Sequence, residues 1–221
     1  VLILGSAIGI YQLYKMPGVN VGYFLQIGIL GFEIVMAVDS IQNFNTYEEE
    51  LREKKYYEKL AYIDALTDGQ NRNAYMDRIF KLSKRKERKG KTYYALFDVN
   101  NLKAINDTYG HATGDDAIRR IYKCLVKAYG RKGDCYRIGG DEFAVILEDW
   151  QEADFEAAGE ILEYEIELNN REVDYQLGIA GGHAVCEPDA ELSFETLMKQ
   201  ADQMLYKNKH RMKLKSGIWN S

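Results

Sequence analysis

The chain has 221 residues, of which 46% are hydrophobic and 29% charged, and its formal net charge is −5 at pH 7. This length allows one domain of ordinary size with an additional segment, and the negative charge argues against a nucleic-acid-binding protein, which normally presents a basic face. Its three cysteines, Cys124, Cys135 and Cys186, lack the spacing of a metal site and indicate thiols in a reducing compartment.

The N-terminal region is far more apolar than the rest of the chain. Residues 1–14 are uncharged, residues 15–20 form a short polar link, and residues 21–41 approach the length of about 20 residues that a bilayer span needs. Glu33 lies inside the second run, and no signal-peptide features precede it. We therefore predict membrane-spanning helical segments within 1–41, with a buried or coiled-coil helical hairpin as the alternative.

Two further expectations concern the N-terminal region. The chain begins with Val1 rather than Met, so we expect it to be the C-terminal part of a longer protein. If the segments do span, the link at 15–20 lies outside and the chain after residue 41 lies in the cytoplasm, although the mixed charges that follow give only a weak positive-inside signal.

Residues 42–63 are rich in Glu and Lys and contain neither Gly nor Pro. Over residues 40–63, apolar residues fall near a repeat of three to four residues, which predicts a helix with a narrow apolar stripe: Ile41, Phe44, Tyr47, Leu51 and Leu60. Such a stripe is typical of a parallel coiled coil that links two parts of a signalling protein. A solvated linker helix is the alternative.

From residue 64 onward, strand and helix patterns alternate. The sequence predicts a helix over 73–90, a strand over 92–99, helices over 101–108 and 113–129, a hairpin of 135–138 and 142–148 around Gly139-Gly140, a helix over 152–169, a strand over 173–184 and a helix over 193–213. This order predicts a mixed sheet with helices packed on it.

Polar residues follow the buried strand at 92–99 and predict a ligand site. Asp98 reaches the end of the strand, where ligands of such sheets bind, although a lone Asp at this position is often a helix cap. Asn100 and Asn101 open the next helix, whose free N–H groups favour phosphate. Lys103 adds a cation where the helix dipole prefers an anion, which a bound phosphate would explain.

Asn106 and Asp115 bracket the segment "DTYGHATG". An amide that both donates and accepts, beside a carboxylate that accepts two N–H bonds, matches the edge of guanine. Ordinary turn chemistry explains Asn106 equally well when it is taken alone, and a helix N-cap explains Asp115.

The hairpin tip carries two acids immediately after its two glycines. We expect Gly139 and Gly140 to adopt the positive φ of a primed turn and to leave room for a triphosphate. Asp141 and Asp98 are then expected to converge on one or two Mg²⁺ ions, which favour carboxylates together with substrate phosphates. An exposed turn with solubilising acids, including Glu142, is the simpler alternative.

Three motifs together resemble the GGDEF domain of diguanylate cyclases: "RIGGDEF" (137–143), "FDVNNLKAINDTYGHATGDD" (97–116) and "DALTDGQNR" (64–72). The resemblance covers 64–215 and leaves 216–221 as a tail. It implies an α/β (α+β) fold of the nucleotidyl-cyclase or polymerase-palm type, with a mixed, mainly antiparallel central sheet flanked by helices and preceded by N-terminal helices.

The resemblance also implies an activity. Two GTP molecules on two facing copies of the domain would condense to cyclic di-GMP and release two pyrophosphates, with Mg²⁺ or Mn²⁺ as cofactor and a homodimer as the active form. Nucleic acid is not an expected partner. The implied location is the inner membrane of a bacterium, with the domain in the cytoplasm and the N-terminal helices as the anchor.

The residue roles follow from the same resemblance. The implied metal ligands are Asp98, the Val99 carbonyl, Asp141 and Glu142, and the implied catalytic residues are Asp141, Glu142 and Lys103. The implied nucleotide contacts are Asn106, His111, Asp115, Gly139, Gly140, Lys209 and Lys213. The last two belong to "ADQMLYKNKHRMK" (201–213), which resembles the family pattern Ala-Asp-x-Ala-Leu-Tyr-x-Ala-Lys-x-x-Gly-Arg. A structural pair of Asp64 with Arg137 is also expected.

Several positions depart from the family pattern. Asn100 replaces a second Asp, Leu102 a Phe, Gly69 a Leu and Lys213 an Arg; the lysine retains the charge without the bidentate fork. None of these changes removes a principal metal ligand.

The family's product-inhibition motif, Arg-x-x-Asp, is matched by Arg131 and Asp134. Only four residues separate Asp134 from the glycines, instead of five. A one-residue shift on a strand reverses the face of a side chain. The spacing therefore argues against feedback inhibition through these two residues.

Two other functions remain open at this point. One is a catalytically silent GGDEF module that binds GTP and relays a signal, against which the intact acids and Lys103 argue. The other is a class III nucleotidyl cyclase or polymerase-palm relative, which shares two-metal chemistry but has no Gly-Gly-Asp-Glu-Phe turn.

Overall fold

The computed structural model describes residues 11, 15, 21–85, 90–130, 133–188, 190 and 193–215. The predicted apolar run at 1–14 and the link at 15–20 lie outside the described residues, apart from Tyr11 and Lys15, and so does the tail at 216–221. The chain divides into two compact units, residues 1–57 and residues 58–221.

The described part of the first unit is helical. Helix α1 (Val21–Tyr62) is 42 residues long and continues into the second unit, so the helix predicted over 42–63 is confirmed and is continuous with the apolar run before it. Its apolar side chains within the first unit are largely exposed, including Leu25, Phe32 and Val35. One stretch of it, Leu25–Tyr62, is long and apolar enough to cross a membrane by length and composition alone.

The second unit is built around a four-stranded sheet. Its elements in chain order are α2 (Arg72–Ser83), β1 (Thr92–Val99), α3 (Leu102–Tyr109), α4 (His111–Tyr129), β2 (Gly133–Arg137), β3 (Glu142–Glu148), α5 (Glu152–Asn170), β4 (Ile179–Cys186) and α6 (Phe194–Lys215). The strand order is β2-β3-β1-β4, and neighbouring strands are antiparallel. An isolated parallel bridge joins Gln70 to Tyr136. The predicted mainly antiparallel sheet with flanking helices is therefore confirmed.

Successive side chains of the central strands point to opposite faces of the sheet and so contribute to two separate cores. On one face, Phe97 and Val145 pack with buried residues of α4 and α5. On the other face, Tyr94 and Ile146 pack with buried residues of α2 and α6. Gly182 of β4 lies so close to α6 that a Cβ there would overlap the backbone of Ala201 and Leu205. This close approach fixes α6 on the sheet.

Two predicted boundaries were wrong. The helix expected to end at Gly90 ends at Ser83. The strand expected over 173–184 begins only at Ile179, because the segment before it bonds to a side chain instead of a neighbouring strand. The carboxamide of Asn170 donates to the Leu177 carbonyl at 3.0 Å and accepts from the Leu177 N–H at 2.7 Å.

The predicted primed turn at Gly139-Gly140 was also wrong. Residues 138–141 form a four-residue loop, closed by N–H groups of Ile138 and Gly139 that donate to the Glu142 carbonyl at 2.9 and 3.3 Å. Neither Gly139 nor Gly140 has positive φ. A Cβ on Gly139 would lie 2.6 Å from Glu142 Oε2, so this glycine gives space to a carboxylate.

Candidate active site

An acidic pair lies where β1 and β3 meet. Asp98 is the Cα partner of Glu142 in the antiparallel register, so the two side chains occupy the same face of the sheet, the one that α6 covers. Asp98 is only 8% exposed, whereas Glu142 is exposed. Asp98 belongs to the strand, so it is not the helix cap considered as the alternative.

A lysine from the C-terminal helix forms an ion pair with Asp98. Lys209 Nζ lies 2.6 Å from Asp98 Oδ2. The preceding residue, Asn208, donates from its carboxamide to the Gly181 carbonyl at 2.7 Å and so ties α6 to β4. The helix is therefore bonded to the edge strand beside the lysine that reaches the acidic pair.

Asp141 lies in the loop before β3. Its carbonyl accepts a hydrogen bond from the Val99 N–H at 3.0 Å, which joins the loop to the end of β1. Simple alternation suggested that Asp141 and Asp98 share a face, but the register instead sets Glu142 opposite Asp98.

The oxygen donors of this site fit a hard divalent cation. The carboxylates of Asp98 and Glu142 are the ligand type that Mg²⁺ prefers, with further oxygens from water or phosphate. Within the described residues, no group of three or more His, Cys, Asp or Glu side chains forms a complete metal site. Such a cation would therefore need ligands from the substrate.

Helix α3 begins beside this cluster. Its N-cap residue, Asn101, has φ of 57°, and the Asn101 side chain makes no capping hydrogen bond. The Asn101 side chain therefore does not cap the first-turn N–H groups, an arrangement that favours an anion. Lys103 lies in this first turn, as predicted, and its side chain is exposed.

The two residues predicted to bind guanine lie close together. The carboxamide of Asn106 on α3 packs against Gly114 on α4, where any Cβ would overlap Asn106 Oδ1. Asp115 follows Gly114 and is exposed in the second turn of α4, so it is not the N-cap considered as the alternative. His111 is the exposed first residue of the same helix.

A network that the sequence argument missed fixes α4 next to Asp115. Asp116 accepts hydrogen bonds from Arg120 Nε at 2.7 Å and from the Tyr175 hydroxyl at 2.8 Å. Burial raises the pKa of Asp116, but these hydrogen bonds outweigh it and leave the pKa below its ordinary value. The only sequence signal for this network was the spacing of Asp116 and Arg120, which is common on helices.

The expected pair of Asp64 with Arg137 is present. Arg137 Nη1 lies 3.1 Å from both oxygens of Asp64, and its Nε and Nη2 donate to the Gly140 carbonyl at 3.2 and 2.8 Å. Burial raises the pKa of Asp64, but hydrogen bonds from Thr67 and the charge of Arg137 lower it below its ordinary value. The arginine thus ties the turn at 64–69 to the hairpin loop.

Of the two residues of the inhibition motif, the structure describes Asp134. Asp134 on β2 forms an ion pair with Arg78 of α2, in which Asp134 Oδ2 lies 3.1 Å from Arg78 Nε. The two groups are not aligned for a hydrogen bond. Arg78 also pairs with Glu148. Arg131 and the side chain of Lys213 lie outside the described residues.

Relatives of known name match this second unit. The family model described as "Diguanylate cyclase, GGDEF domain" matches residues 61–215. The diguanylate cyclase DgcS of Shewanella oneidensis is 31% identical over 151 residues, which are 67% of this chain and 50% of that protein. DgcN of Escherichia coli K12 is 35% identical over 159 residues, which are 69% of this chain and 38% of that protein. The chain therefore spans half or less of the length of these two relatives.

Solved structures support the same grouping. The coiled coil and GGDEF domain of DgcB from Caulobacter crescentus, in complex with c-di-GMP, matches with a TM-score of 0.62 and 24% identity over 82% of this chain and 94% of that one. At that identity the match shows the fold. A microbial GGDEF domain studied with c-di-GMP matches with a TM-score of 0.57 and 28% identity over 68% of this chain and 94% of that one.

Proposed function

Because the chain belongs to the GGDEF diguanylate cyclase family, we propose that it condenses two GTP molecules into cyclic di-GMP and releases two pyrophosphates. The observation that carries this proposal is the cluster in which Asp98, Glu142 and Lys209 lie together at the end of β1. A catalyst of phosphoryl transfer needs little more than positioning and charge neutralisation, which carboxylates with a cation and a lysine supply.

The proposed cofactor is Mg²⁺ or Mn²⁺. Asp98, the Val99 carbonyl, Asp141 and Glu142 would hold it, which accords with the oxygen donors gathered there. When bound, the cation would supply neutralising charge to the phosphates of GTP. The carboxylates of the chain would hold the cation in position. Asp141, in the loop before β3, is the proposed acceptor of the proton from the attacking 3′-hydroxyl.

The proposed phosphate site lies between the start of α3 and α6. The uncapped first turn of α3 offers N–H groups, Lys103 and Lys209 offer positive charge, and Gly139 and Gly140 keep the hairpin loop free of side chains. Lys213 would add a further cation. In this arrangement Lys209 exchanges its bond to Asp98 for one to the phosphates.

The proposed guanine site lies between α3 and α4. Asn106 and Asp115 would bind the base edge, with His111 at the nucleotide. The contact of Asn106 with Gly114 supports this, because it brings the amide next to the residue that precedes Asp115. The bonds of Asp116 to Arg120 and Tyr175 would keep the start of α4 in position.

Turnover is proposed to need a homodimer. Each copy of the domain offers one set of these residues, and the product contains two guanosine units, so two copies must face each other. The exposed apolar side chains of α1 supply a surface on which two helices could pair. The apolar part of α1 is also the proposed membrane anchor, with the GGDEF domain in the bacterial cytoplasm.

A direct assay tests the proposal. The purified chain is incubated with GTP and Mg²⁺, its oligomeric state is measured by light scattering, and product is separated by chromatography. We expect cyclic di-GMP from the wild type and a loss of about 100-fold or more in Asp141→Ala and Asp98→Asn, the scale seen when charge stabilisation is removed. Glu160→Ala, an exposed acid on α5, is the matched control and should keep full activity.

The assay also separates this proposal from the silent module. A dimeric sample that binds GTP but forms no cyclic di-GMP would favour a GTP-binding relay and overturn the cyclase proposal. Release of pyrophosphate without the cyclic product would point to another nucleotidyl transfer.

A further inference from the structure

A second concave site is lined by none of the residues of the acidic cluster. A cleft of about 510 Å³ runs between α5 and the edge strand β4 and reaches the C-terminal part of α6. Its volume is within the range of about 300–1,000 Å³ that is usual for small-molecule sites. The proposed GTP contacts at Asn106, Asp115 and Lys103 are not among its lining residues.

Glycines line both walls of the cleft. Gly181 of β4 faces it, and the ring of Phe97 lies 2.9 Å from where a Cβ would be. On the opposite wall, a Cβ on Gly159 of α5 would meet nothing within 4 Å. The space in front of Gly159 is therefore open and is not filled by a neighbouring side chain.

The walls of the cleft are aromatic. Phe97, Tyr129 and Phe155 line it, and the His183 ring lies 4.6 Å from the ring of Phe155. Burial lowers the pKa of His183, so its imidazole is uncharged at neutral pH and offers one donor and one acceptor. Flat, polarisable walls of this kind suit a planar ring.

The rim of the cleft is acidic. Glu163 and Glu167, one turn apart on α5, both line it and are exposed. No Lys or Arg is found among the described residues that line it. Such a lining repels phosphates and attracts a cation, so its ligand differs in charge from a nucleotide.

Residues that depart from the family pattern line this cleft. The pattern matched by residues 201–213 has Ala at position 208 and Gly at position 212, where this chain has Asn208 and Met212, and both line the cleft. Asn100, which stands in place of an Asp, also lines it and donates to Met212 Sδ at 3.5 Å. Three departures from the pattern therefore meet in one place.

We propose that this cleft, formed by α5, β4 and α6, binds a small aromatic amine, with its ring against the aromatic side chains and its ammonium group at Glu163 and Glu167. Asn100 follows Asp98 by two residues, so the ligand would lie next to the end of β1.

Three probes with the same indole ring and different charge test the proposal: tryptamine, tryptophol and indole-3-acetate. Binding to the nucleotide-free full chain is measured by isothermal titration calorimetry. We expect tryptamine to bind about five-fold more tightly than tryptophol, as an exposed ion pair allows, and indole-3-acetate to bind most weakly. The measurement needs no turnover, so it stands whether or not the chain is an active cyclase.

Two sets of variants locate the binding. Gly159→Leu fills the open space and should weaken tryptamine at least ten-fold, whereas Ala157→Leu on an exposed part of the same helix should not. The double variant Glu163→Gln/Glu167→Gln should remove the preference for tryptamine over tryptophol, whereas Glu160→Gln should keep it. Thermal unfolding verifies that each variant is folded, and the glutamine variants decide the matter if Gly159→Leu does not fold.

Absence of saturable tryptamine binding, equal binding of the three probes, or undiminished binding to folded Gly159→Leu would each overturn the proposal.

Discussion

At the end of β1, a carboxylate lies among side chains that exclude most of the solvent. Asp98 is 8% exposed, and its charge is neutralised by Lys209 at 2.6 Å. A charge in such a place is costly unless it is paired. The acid that the family resemblance assigns to the metal is therefore also part of what keeps α6 on the sheet.

The first prediction concerns this pair. Lys209→Met should lower the free energy of unfolding by about 2 kcal/mol, because it removes a positive charge that lies 2.6 Å from a largely buried carboxylate. Asp98→Asn/Lys209→Met should lose less than the sum of the single variants. Urea unfolding measures all three, and Lys207→Met, an exposed lysine of the same helix, is the control. Strict additivity would show that the pair contributes nothing.

The second prediction concerns Asp64 and pH. Because the pKa of Asp64 is below its ordinary 3.8 in the folded chain, the unfolded chain binds more protons in the window just below pH 4. The stability that the Asp64 carboxylate contributes is present above its ordinary pKa of 3.8 and is lost as the pH falls through the lower pKa of the folded chain.

Arg137→Met should therefore cost about 1–2 kcal/mol at neutral pH and make the acid-induced loss of stability less steep below pH 4. Denaturant unfolding at a series of pH values measures both effects, and Arg211→Met, an exposed arginine of α6, is the control. An unchanged slope would contradict the assigned role of the pair. In the wild type and in Arg137→Met alike, the free energy of unfolding should still fall with pH below 4, because the pKa of Asp116 is also lowered.

At the scale of elements, α1 differs from the other helices in having most of its apolar side chains exposed. Helices in the second unit bury one face against the sheet, whereas Phe44, Tyr47 and Leu60 are about 60% exposed. An apolar stripe of this length is stable only with a partner, either lipid or another helix. This is the reason for proposing that α1 anchors the protein and joins two copies.

The third prediction tests that role. Leu51→Asp/Leu60→Asp should weaken dimerisation and reduce cyclase turnover several-fold at low protein concentration, with recovery as the concentration is raised. Analytical ultracentrifugation and product formation are measured on the same samples. Gln42→Asp/Asn45→Asp adds the same charge to the same helix at polar positions and should have little effect. Equal turnover of both double variants would argue against dimerisation through this stripe.

At the scale of the whole molecule, the proposed reaction needs two copies, and its regulation depends on where the product could bind. Asp134 lies on β2 and pairs with Arg78 of α2, while Arg78 also pairs with Glu148. The carboxylate is thus already engaged with a helix of its own domain. This agrees with the shortened spacing before the glycines, which argued against the inhibition motif.

The fourth prediction follows from this. Added cyclic di-GMP should leave the initial rate of the wild-type chain unchanged, and Asp134→Asn should not alter that result. Initial rates are measured with increasing product in the presence of a pyrophosphatase. Inhibition that depends on dose and disappears in Asp134→Asn would show that feedback operates through this residue after all.

The family and most elements could be predicted from the sequence because they depend on local patterns. The apolar run at 92–99 identified β1 as a buried strand, and the motifs at 64–72, 97–116 and 137–143 identified the GGDEF family. The pair of Asp64 with Arg137 was also predicted correctly, from the resemblance. Local rules failed at the hairpin, where Gly-Gly suggested a primed turn but a longer loop is closed by Glu142.

Gly69 shows how a distant contact decides a local choice. The family pattern has Leu at this position, and the sequence gives no reason for glycine. In the structure, a Cβ on Gly69 would overlap the hydroxyl of Tyr122 from α4. The side chain that fills this space comes from a residue 53 positions away, so only packing explains the departure.

The sequence by itself determined the family, the order of helices and strands, and the acids and lysines available for chemistry, because these follow from residue type and short-range periodicity. The tertiary structure decided which of them meet. The antiparallel register set Glu142 opposite Asp98, α6 brought Lys209 to the same carboxylate, and glycines on α5 and β4 left a cleft between them. Register and helix placement depend on contacts between residues far apart in the chain, and a single local segment carries no information about them.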